Sequence, residues 1–145
     1  MARLRAFRGI DTLAAVTILT ETCDFRRFAS AASYMAFTGL VPSEHSSGTL
    51  RHQGSITKAG NAHTRRVLVE AASAYRHRPA VRGTHAKRLE GQPPAVAAYS
   101  WAAQCRLHST YRKLAARRNA NTAVVAVARE LSGFLWGAMT GRMGV

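Results

Sequence analysis

Residues 39–66 read Gly-Leu-Val-Pro-Ser-Glu-His-Ser-Ser-Gly-Thr-Leu-Arg-His-Gln-Gly-Ser-Ile-Thr-Lys-Ala-Gly-Asn-Ala-His-Thr-Arg-Arg. Pro42, Gly48, Gly54 and Gly60 punctuate this stretch too often for a helix. Residues 40–60 are therefore expected as a loop or irregular β-like segment, with room for a short strand around Ser55-Ile56-Thr57. Helical patterns lie on both sides of it. The expected fold class is all-α: a helix-hairpin-helix-like start over 1–40, an irregular Gly/Ser loop, then a bundle of longer helices, with 41–145 as one compact unit.

Upstream, residues 2–8 form a basic helical turn that Gly9-Ile10-Asp11 breaks. Thr12 is placed to cap a helix to about Thr22, with Leu13, Val16 and Leu19-Thr20 at helical spacing. Phe25 and Phe28 read as core anchors, and Ser30 caps a short helix through Tyr34 and Phe37 that Gly39 closes. Helix, tight glycine turn, helix is the shape of an element whose turn N–H groups bind backbone phosphate. Asp11 stands where that motif has a second glycine and would repel phosphate, so a purely structural hairpin and a DNA-binding one both remain open.

Downstream, Asn61 caps a helix over about 62–77 with Val67, Leu68, Ala71, Ala72 and Tyr75 on its buried face. A basic connector over 79–94 has space for a turn or two of helix at Thr84–Leu89. A long helix over about 95–118 carries Val96, Tyr99, Ala103, Leu107, Tyr111 and Leu114 on one stripe. Arg106, Arg112, Lys113, Arg117 and Arg118 crowd its later turns, favourable at a helix C-terminus and able to face a polyanion. Asn119 and Asn121 break the chain before a last helix, about 122–140, with Val124, Val127, Leu131, Phe134, Leu135 and Met139 inward.

The chain has 145 residues, 21 Lys+Arg against seven Asp+Glu, and a formal charge of +14. Arginine dominates the cations, and guanidinium grips phosphate bidentately, so the balance points to a nucleic-acid partner. The basic residues are spread over several segments and not massed on one amphipathic helix, which disfavours a membrane surface. Cys23 and Cys105 have no metal-ligand spacing and read as small buried hydrophobes of a reducing compartment. The N-terminus lacks the apolar run of a signal peptide, and no segment is apolar enough to span a bilayer; a cytoplasmic, nucleoid-associated protein is expected. The acids are too scattered for a divalent-metal cage, and no His or Cys pair has zinc-finger spacing.

Ser46-Ser47 before Gly48 is the sharpest chemical candidate. A serine becomes a nucleophile beside a base or cation, and glycine leaves room for substrate. Arg51, His52 and Lys58 are near enough in sequence to neutralise a phosphorane-like transition state. From the residues alone, Ser46-Ser47-Gly48 also reads as a plain turn whose hydroxyls bond nearby backbone, the commoner use of such a triplet. Ser55 through Asn61 looks like a phosphate-contacting turn that enters a helix N-terminus, and Asn61, Arg65 and Arg66 extend it as nucleic-acid contacts.

Leu40-Val41-Pro42-Ser43-Glu44-His45-Ser46-Ser47-Gly48, Gly54-Ser55-Ile56-Thr57-Lys58-Ala59-Gly60-Asn61 and Arg65-Arg66-Val67-Leu68-Val69-Glu70-Ala71-Ala72 resemble, in order and spacing, the C-terminal serine-bearing domain of the IS-one-ten group of insertion-sequence transposases, relatives of the Piv DNA invertase. Gly9-Ile10-Asp11-Thr12 and Asp24-Phe25-Arg26-Arg27-Phe28 fit as well. The resemblance implies a serine nucleophile at the position of Ser47 (Ser46 the alternative) that attacks DNA phosphate in strand cleavage and joining. It further implies DNA and a structured guide RNA as partners, and a homo-oligomer when complete. A RuvC-like domain, in cis or trans, would carry an Asp-Glu-Asp-Asp site for Mg²⁺. This chain holds none of those acids, no cofactor or metal of its own is expected, and it reads as a truncated or split member.

Overall fold

A computed structural model describes residues 1–47, 50–56 and 60–144, with backbone alone described over 43–47 and 50–56. The described chain is helical: α1 (Ala2–Arg5), α2 (Thr12–Thr22), α3 (Ala31–Thr38), α4 (Ala62–Ala72), α5 (Gly83–Leu89), α6 (Pro94–Arg117) and α7 (Ala120–Thr140). Short 3-10 turns lie at Phe25–Arg27 and Ser73–Arg76.

Helix starts follow from capping chemistry. The Ser30 hydroxyl accepts from Ser33 N at 3.2 Å, Asn61 Oδ1 from Thr64 N at 2.9 Å and Asn119 Oδ1 from Thr122 N at 2.8 Å. Each removes one of the orphan donors of a first turn. On α2 the cap is Asp11, one residue earlier than expected: its Oδ1 accepts from Ala14 N at 2.8 Å, and Thr12 is the first helical residue. α3 closes on Gly39, whose φ of 72° is the left-handed conformation that glycine adopts freely.

α7 is the hub, packed against α1, α3, α4 and α6. Its Val127, Leu131 and Leu135 are fully buried, with Val124, Phe134 and Met139 packed at the margin. Tyr99, Ala103 and Leu107 of α6 and Leu68, Ala71 and Ala72 of α4 meet the same core, joined by Leu4, Phe7 and Ile10 from the start of the chain, and Val96 of α6 is buried as well. Burying each large apolar side chain is worth about 1.5–3 kcal/mol, so this cluster holds the first forty residues to the rest. Beneath α3, Phe25, Phe28, Tyr34 and Phe37 form an aromatic group with ring centroids 4.9–5.7 Å apart.

One expectation fails here, and α2 turns inward a face that spacing alone left unassigned. On α2, Ala15, Ile18 and Thr22 face inward, while Leu13 is 75% and Val16 42% exposed. The helix is apolar or threonine-bearing nearly all round, so periodicity could not single out its inner face. Both cysteines are exposed. Cys23 ends α2 with a φ of 65°, where its backbone N–H bonds Leu19 O, and Cys105 lies on the outer side of α6.

With so few carboxylates, many arginines are used as clamps on backbone carbonyls. Arg3 donates to Ala138 O at 3.0 Å, Arg27 to Thr22 O at 3.0 Å, Arg88 to Arg5 O at 2.8 Å and Arg142 to Ala29 O at 3.2 Å. His85 joins them: its Nε2 donates to Ala6 O at 2.8 Å, and burial holds the imidazole below its ordinary pKa against the smaller upward effect of this bond.

The glycine-rich stretch is more regular than its composition suggested. β1 (Pro42–Ser47) and β2 (Leu50–Ile56) pair antiparallel, with Glu44 opposite Gln53, His45 opposite His52, Ser46 opposite Arg51 and Ser47 opposite Leu50. Pro42 pairs with Ile56, so the register shifts by one and Gly54-Ser55 oppose Ser43 alone. That is a β-bulge with a glycine in it. Backbone groups of the two segments satisfy each other, which is the physical alternative to a solvated loop.

Candidate nucleic-acid interface

The two feet of the ribbon meet at the junction of α3 and α4. Asn61 N donates to Phe37 O at 2.7 Å. A Cβ on Gly60 would overlap Phe37 O and the backbone N of Gly39, so only glycine allows the return strand to pass this close. Asn61 is the knot. Its Oδ1 caps α4, and its Nδ2 donates to Glu21 Oε2 on α2 at 2.7 Å. Glu21 Oε1 lies 2.8 Å from His63 Nδ1 on the first turn of α4. The hydrogen bond from His63, then that from Asn61, hold the Glu21 carboxyl below its ordinary pKa, against a smaller opposing effect of desolvation.

The expected site residues thus divide. Ser46, Ser47 and Arg51 lie on the ribbon, where the register brings Arg51 opposite Ser46 and ends with Ser47 opposite Leu50. Lys58 lies outside the described residues. Asn61 has its carbonyl and amide committed to α4 and α2, so it fixes the base of the ribbon. Arg65 is half-buried, with Nη1 3.4 Å from Thr38 O at the end of α3. Arg66, its neighbour, is exposed and has no partner among the described residues. Glu21 and His63 were not singled out as site residues. Glu21 is 40 positions from Asn61, and nothing local in the sequence marks the pair.

Among the cations of α6, Arg106 pairs with Glu130 at 3.4 Å, and Thr110 Oγ1 donates to the same carboxylate oxygen at 3.2 Å. Arg112, Lys113, Arg117 and Arg118 are exposed, without a protein partner among the described residues. Among those residues no group of three His, Cys, Asp or Glu side chains converges, and no helix is long and apolar enough to cross a membrane.

The described chain thus comprises a helical body, a serine-bearing ribbon on a glycine and asparagine base, and several exposed arginines with no acidic partner among the described residues. The family described as "Transposase IS116/IS110/IS902 family" matches residues 1–86, and the chain belongs to that family. It is 47% identical over 134 residues to "Putative transposase y4qE" of Sinorhizobium fredii, covering 92% of this chain and 34% of that protein. It is 35% identical over 72 residues to "Probable family 20 transposase" of Pseudomonas aeruginosa, covering 50% and 21%. It is 36% identical over 76 residues to "Transposase for insertion sequence element IS1328" of Yersinia enterocolitica, covering 52% and 23%. The chain therefore spans about a third or less of the length of these relatives. No solved structure matches it.

Proposed function

We propose that this chain is a nucleic-acid-binding part of a DNA transposase, and that Ser47 is the nucleophile for strand cleavage and joining. The observation that carries this reading is the ribbon register. Within a member of a transposase family, the register pairs Ser46 with Arg51 and Ser47 with Leu50, so both serines stand at the ribbon's end within one residue of an arginine; the choice of Ser47 over Ser46 rests on the resemblance to the family's Ser-Gly pair. In the proposed step Ser47 Oγ attacks phosphorus: a P–O bond to serine forms, one P–O bond of the strand breaks, and the hydroxyl proton is passed to a base while the released strand oxygen takes up a proton. Rejoining reverses the exchange with a second strand end. Arg51 and Lys58 stabilise the charge that builds on the non-bridging oxygens.

The rigid foot serves this role by orientation. Gly39, Gly60 and Asn61 lock both strands of the ribbon to α2, α3 and α4, so the serine end is presented from a fixed base. Mg²⁺ does not fit the described residues. Glu21 is tied to Asn61 and His63, and Glu130 to Arg106 and Thr110, and no cage remains. Activation of the hydroxyl is assigned to a RuvC-like domain acting in cis or trans, in a homo-oligomer with DNA and a structured guide RNA. The glycine turn Gly9-Ile10 is a further candidate contact to backbone phosphate. A protein with these partners works in the cytoplasm, at the nucleoid.

A second reading, binding without catalysis, is favoured by the same shortage of carboxylates. A denaturing gel of protein with end-labelled DNA separates the two. With a RuvC-like domain supplied, a covalent adduct is expected that Ser47→Ala abolishes and Ser46→Ala weakens. An adduct that survives Ser47→Ala and disappears in Ser46→Ala would move the nucleophile by one residue. No adduct under any condition would leave the binding reading alone standing.

A further inference from the structure

Between the turn that follows α4 and the C-terminal half of α6 runs a groove of about 540 Å³, lined by Arg76, Arg78, His108, Tyr111 and Arg112 with two alanines. It continues past His108 and Arg112 into a depression of about 430 Å³ that Ser109 and Lys113 complete. None of the lining residues is acidic. We infer that this groove is a binding site for the sugar-phosphate backbone of a nucleic-acid strand, separate from the serine ribbon. It rests on the proposed nucleic-acid partner for its ligand class but needs neither the serine nor any catalysis.

Three observations carry it. First, cations from two different elements converge here. A helix C-terminus attracts basic residues to its own last turn, which accounts for Arg117 on α6 and Arg76 on the 3-10 extension of α4, but not for Arg78 beyond it or for Arg112, short of the last turn of α6, facing it across the groove. Like charges brought together without a carboxylate are unfavourable until an anion joins them.

Second, these arginines are not the clamps seen elsewhere. Arg78 takes part in the fold through its carbonyl, which accepts from Arg8 at 2.9 Å, and its guanidinium has no partner among the described residues; nor has that of Arg112. Glu130, the acid facing α6, is engaged with Arg106 and Thr110.

Third, the groove has the mixed character that a nucleotide strand needs. The partly buried Tyr111 ring offers an apolar surface for a sugar or base, and His108, fixed by an Nδ1 contact of 3.0 Å to Tyr75 O, leaves Nε2 without a partner among the described residues.

Position adds a consequence. The ribbon foot at Asn61 and the groove at Arg76 lie at opposite ends of α4 and its 3-10 extension, about 22 Å apart at 1.5 Å per residue. A strand held in the groove would be gripped several nucleotides away from the serine, so groove and ribbon are separable by mutation.

The test is titration of the intact chain against fluorescein-labelled single-stranded DNA, duplex DNA and single-stranded RNA of one sequence, over 0.05–0.3 M salt. Wild type is compared with Arg78→Gln/Arg112→Gln and with a control that removes two exposed cations elsewhere, Arg26→Gln/Lys87→Gln. Losing two phosphate contacts should flatten the log–log salt slope by about 1.4 on single strands and 1.8 on duplex, and weaken binding about 25- to 60-fold at 0.1 M salt. Far-UV circular dichroism checks the fold. If the double variant does not fold, Arg112→Gln alone should show about half the change in slope. The three nucleic acids identify which strand the groove prefers. Equal losses in groove and control variants would overturn the site while leaving the nucleic-acid reading intact. No binding by wild type at low salt would overturn both.

Discussion

The Glu21 carboxylate accepts from the Asn61 side-chain amide at 2.7 Å and so ties α2 to the residue that both ends the ribbon and begins α4. Because His63 and Asn61 favour the ionised form, the folded-state pKa of Glu21 is depressed. A depressed carboxylate stabilises the fold above the unfolded-state pKa and stops doing so as pH falls through the folded value. Glu21→Gln should therefore lower the melting temperature near neutral pH by about 1–3 °C, with the gap to wild type closing below about pH 4. A gap that stays constant down to pH 2.5 would show that the ionised carboxylate is not the relevant partner.

Asn61→Ala removes more, since the same side chain caps α4. Loss of the cap alone should cost about 1 kcal/mol in urea denaturation, and loss of the bond to Glu21 Oε2 should add to it, with His63 left as the partner of Glu21. Asn61→Asp keeps the cap and places a second carboxylate against Glu21. It should raise the folded-state pKa of Glu21, so the melting temperature near neutral pH drops and the loss on acidification shrinks or reverses, a result that wild-type-like acid behaviour would refute.

Gly60→Ala should be among the costliest single-methyl changes in the chain. Its Cβ would overlap backbone atoms of Phe37 and Gly39, which cannot step aside as a flexible side chain can. A loss of about 1–3 kcal/mol is expected from overpacking of this kind. Gly144→Ala, with nothing within 4 Å, is the matched control and should be neutral. Equal stabilities for the two variants would mean that the ribbon foot is not packed as described.

How far the sequence disclosed this molecule depends on whether each feature is local. The caps at Ser30, Asn61 and Asn119 and the stop at Gly39 need only neighbouring residues, and they could be read directly. The apolar stripes of α4, α6 and α7 are flanked by polar residues and were equally legible. α2 lacks a polar face, so the helical spacing of Leu13 and Val16 does not reveal that both are exposed. The pairing of β1 with β2 was hidden because Gly48, Gly54 and Gly60 outweigh any alternation in the strands. The arginine clamps and the Glu21–Asn61 tie join residues 5 to 135 positions apart, and no local pattern announces them. Of the candidate site, the serines and cations were named in advance. The tie from the Asn61 amide to Glu21 was not.

Tyr34 gives a spectroscopic check on the core. Its hydroxyl lies 3.0 Å from Thr22 Oγ1, and burial pushes its pKa up to about 12. Tyr75, donating to Arg8 O at 2.6 Å, is buried and raised as well. A raised tyrosine contributes stability that is present below the unfolded-state value and lost as pH rises through the folded one. Phenolate absorbance at 295 nm should therefore contain a late component that appears together with alkaline unfolding, and Tyr34→Phe should reduce it. Complete ionisation of all four tyrosines by pH 10.5 with the helical signal intact would contradict this packing.

Arg65 and Arg66 are adjacent in sequence and differ in what they touch, so they should separate stability from binding. Arg65 is half-buried and directs Nη1 at Thr38 O, where it helps satisfy the end of α3. Arg65→Gln should cost about 0.5–1 kcal/mol of stability through that contact. Arg66 is exposed and meets no protein group among the described residues, so Arg66→Gln should leave the melting curve unchanged. If its guanidinium contacts a phosphate near the ribbon foot, the substitution should flatten the salt slope of DNA binding by about 0.7–0.9. Urea denaturation and a salt-titrated binding isotherm on both variants are sufficient. Loss of stability in Arg66→Gln, or an unchanged salt slope, would remove Arg66 from the interface.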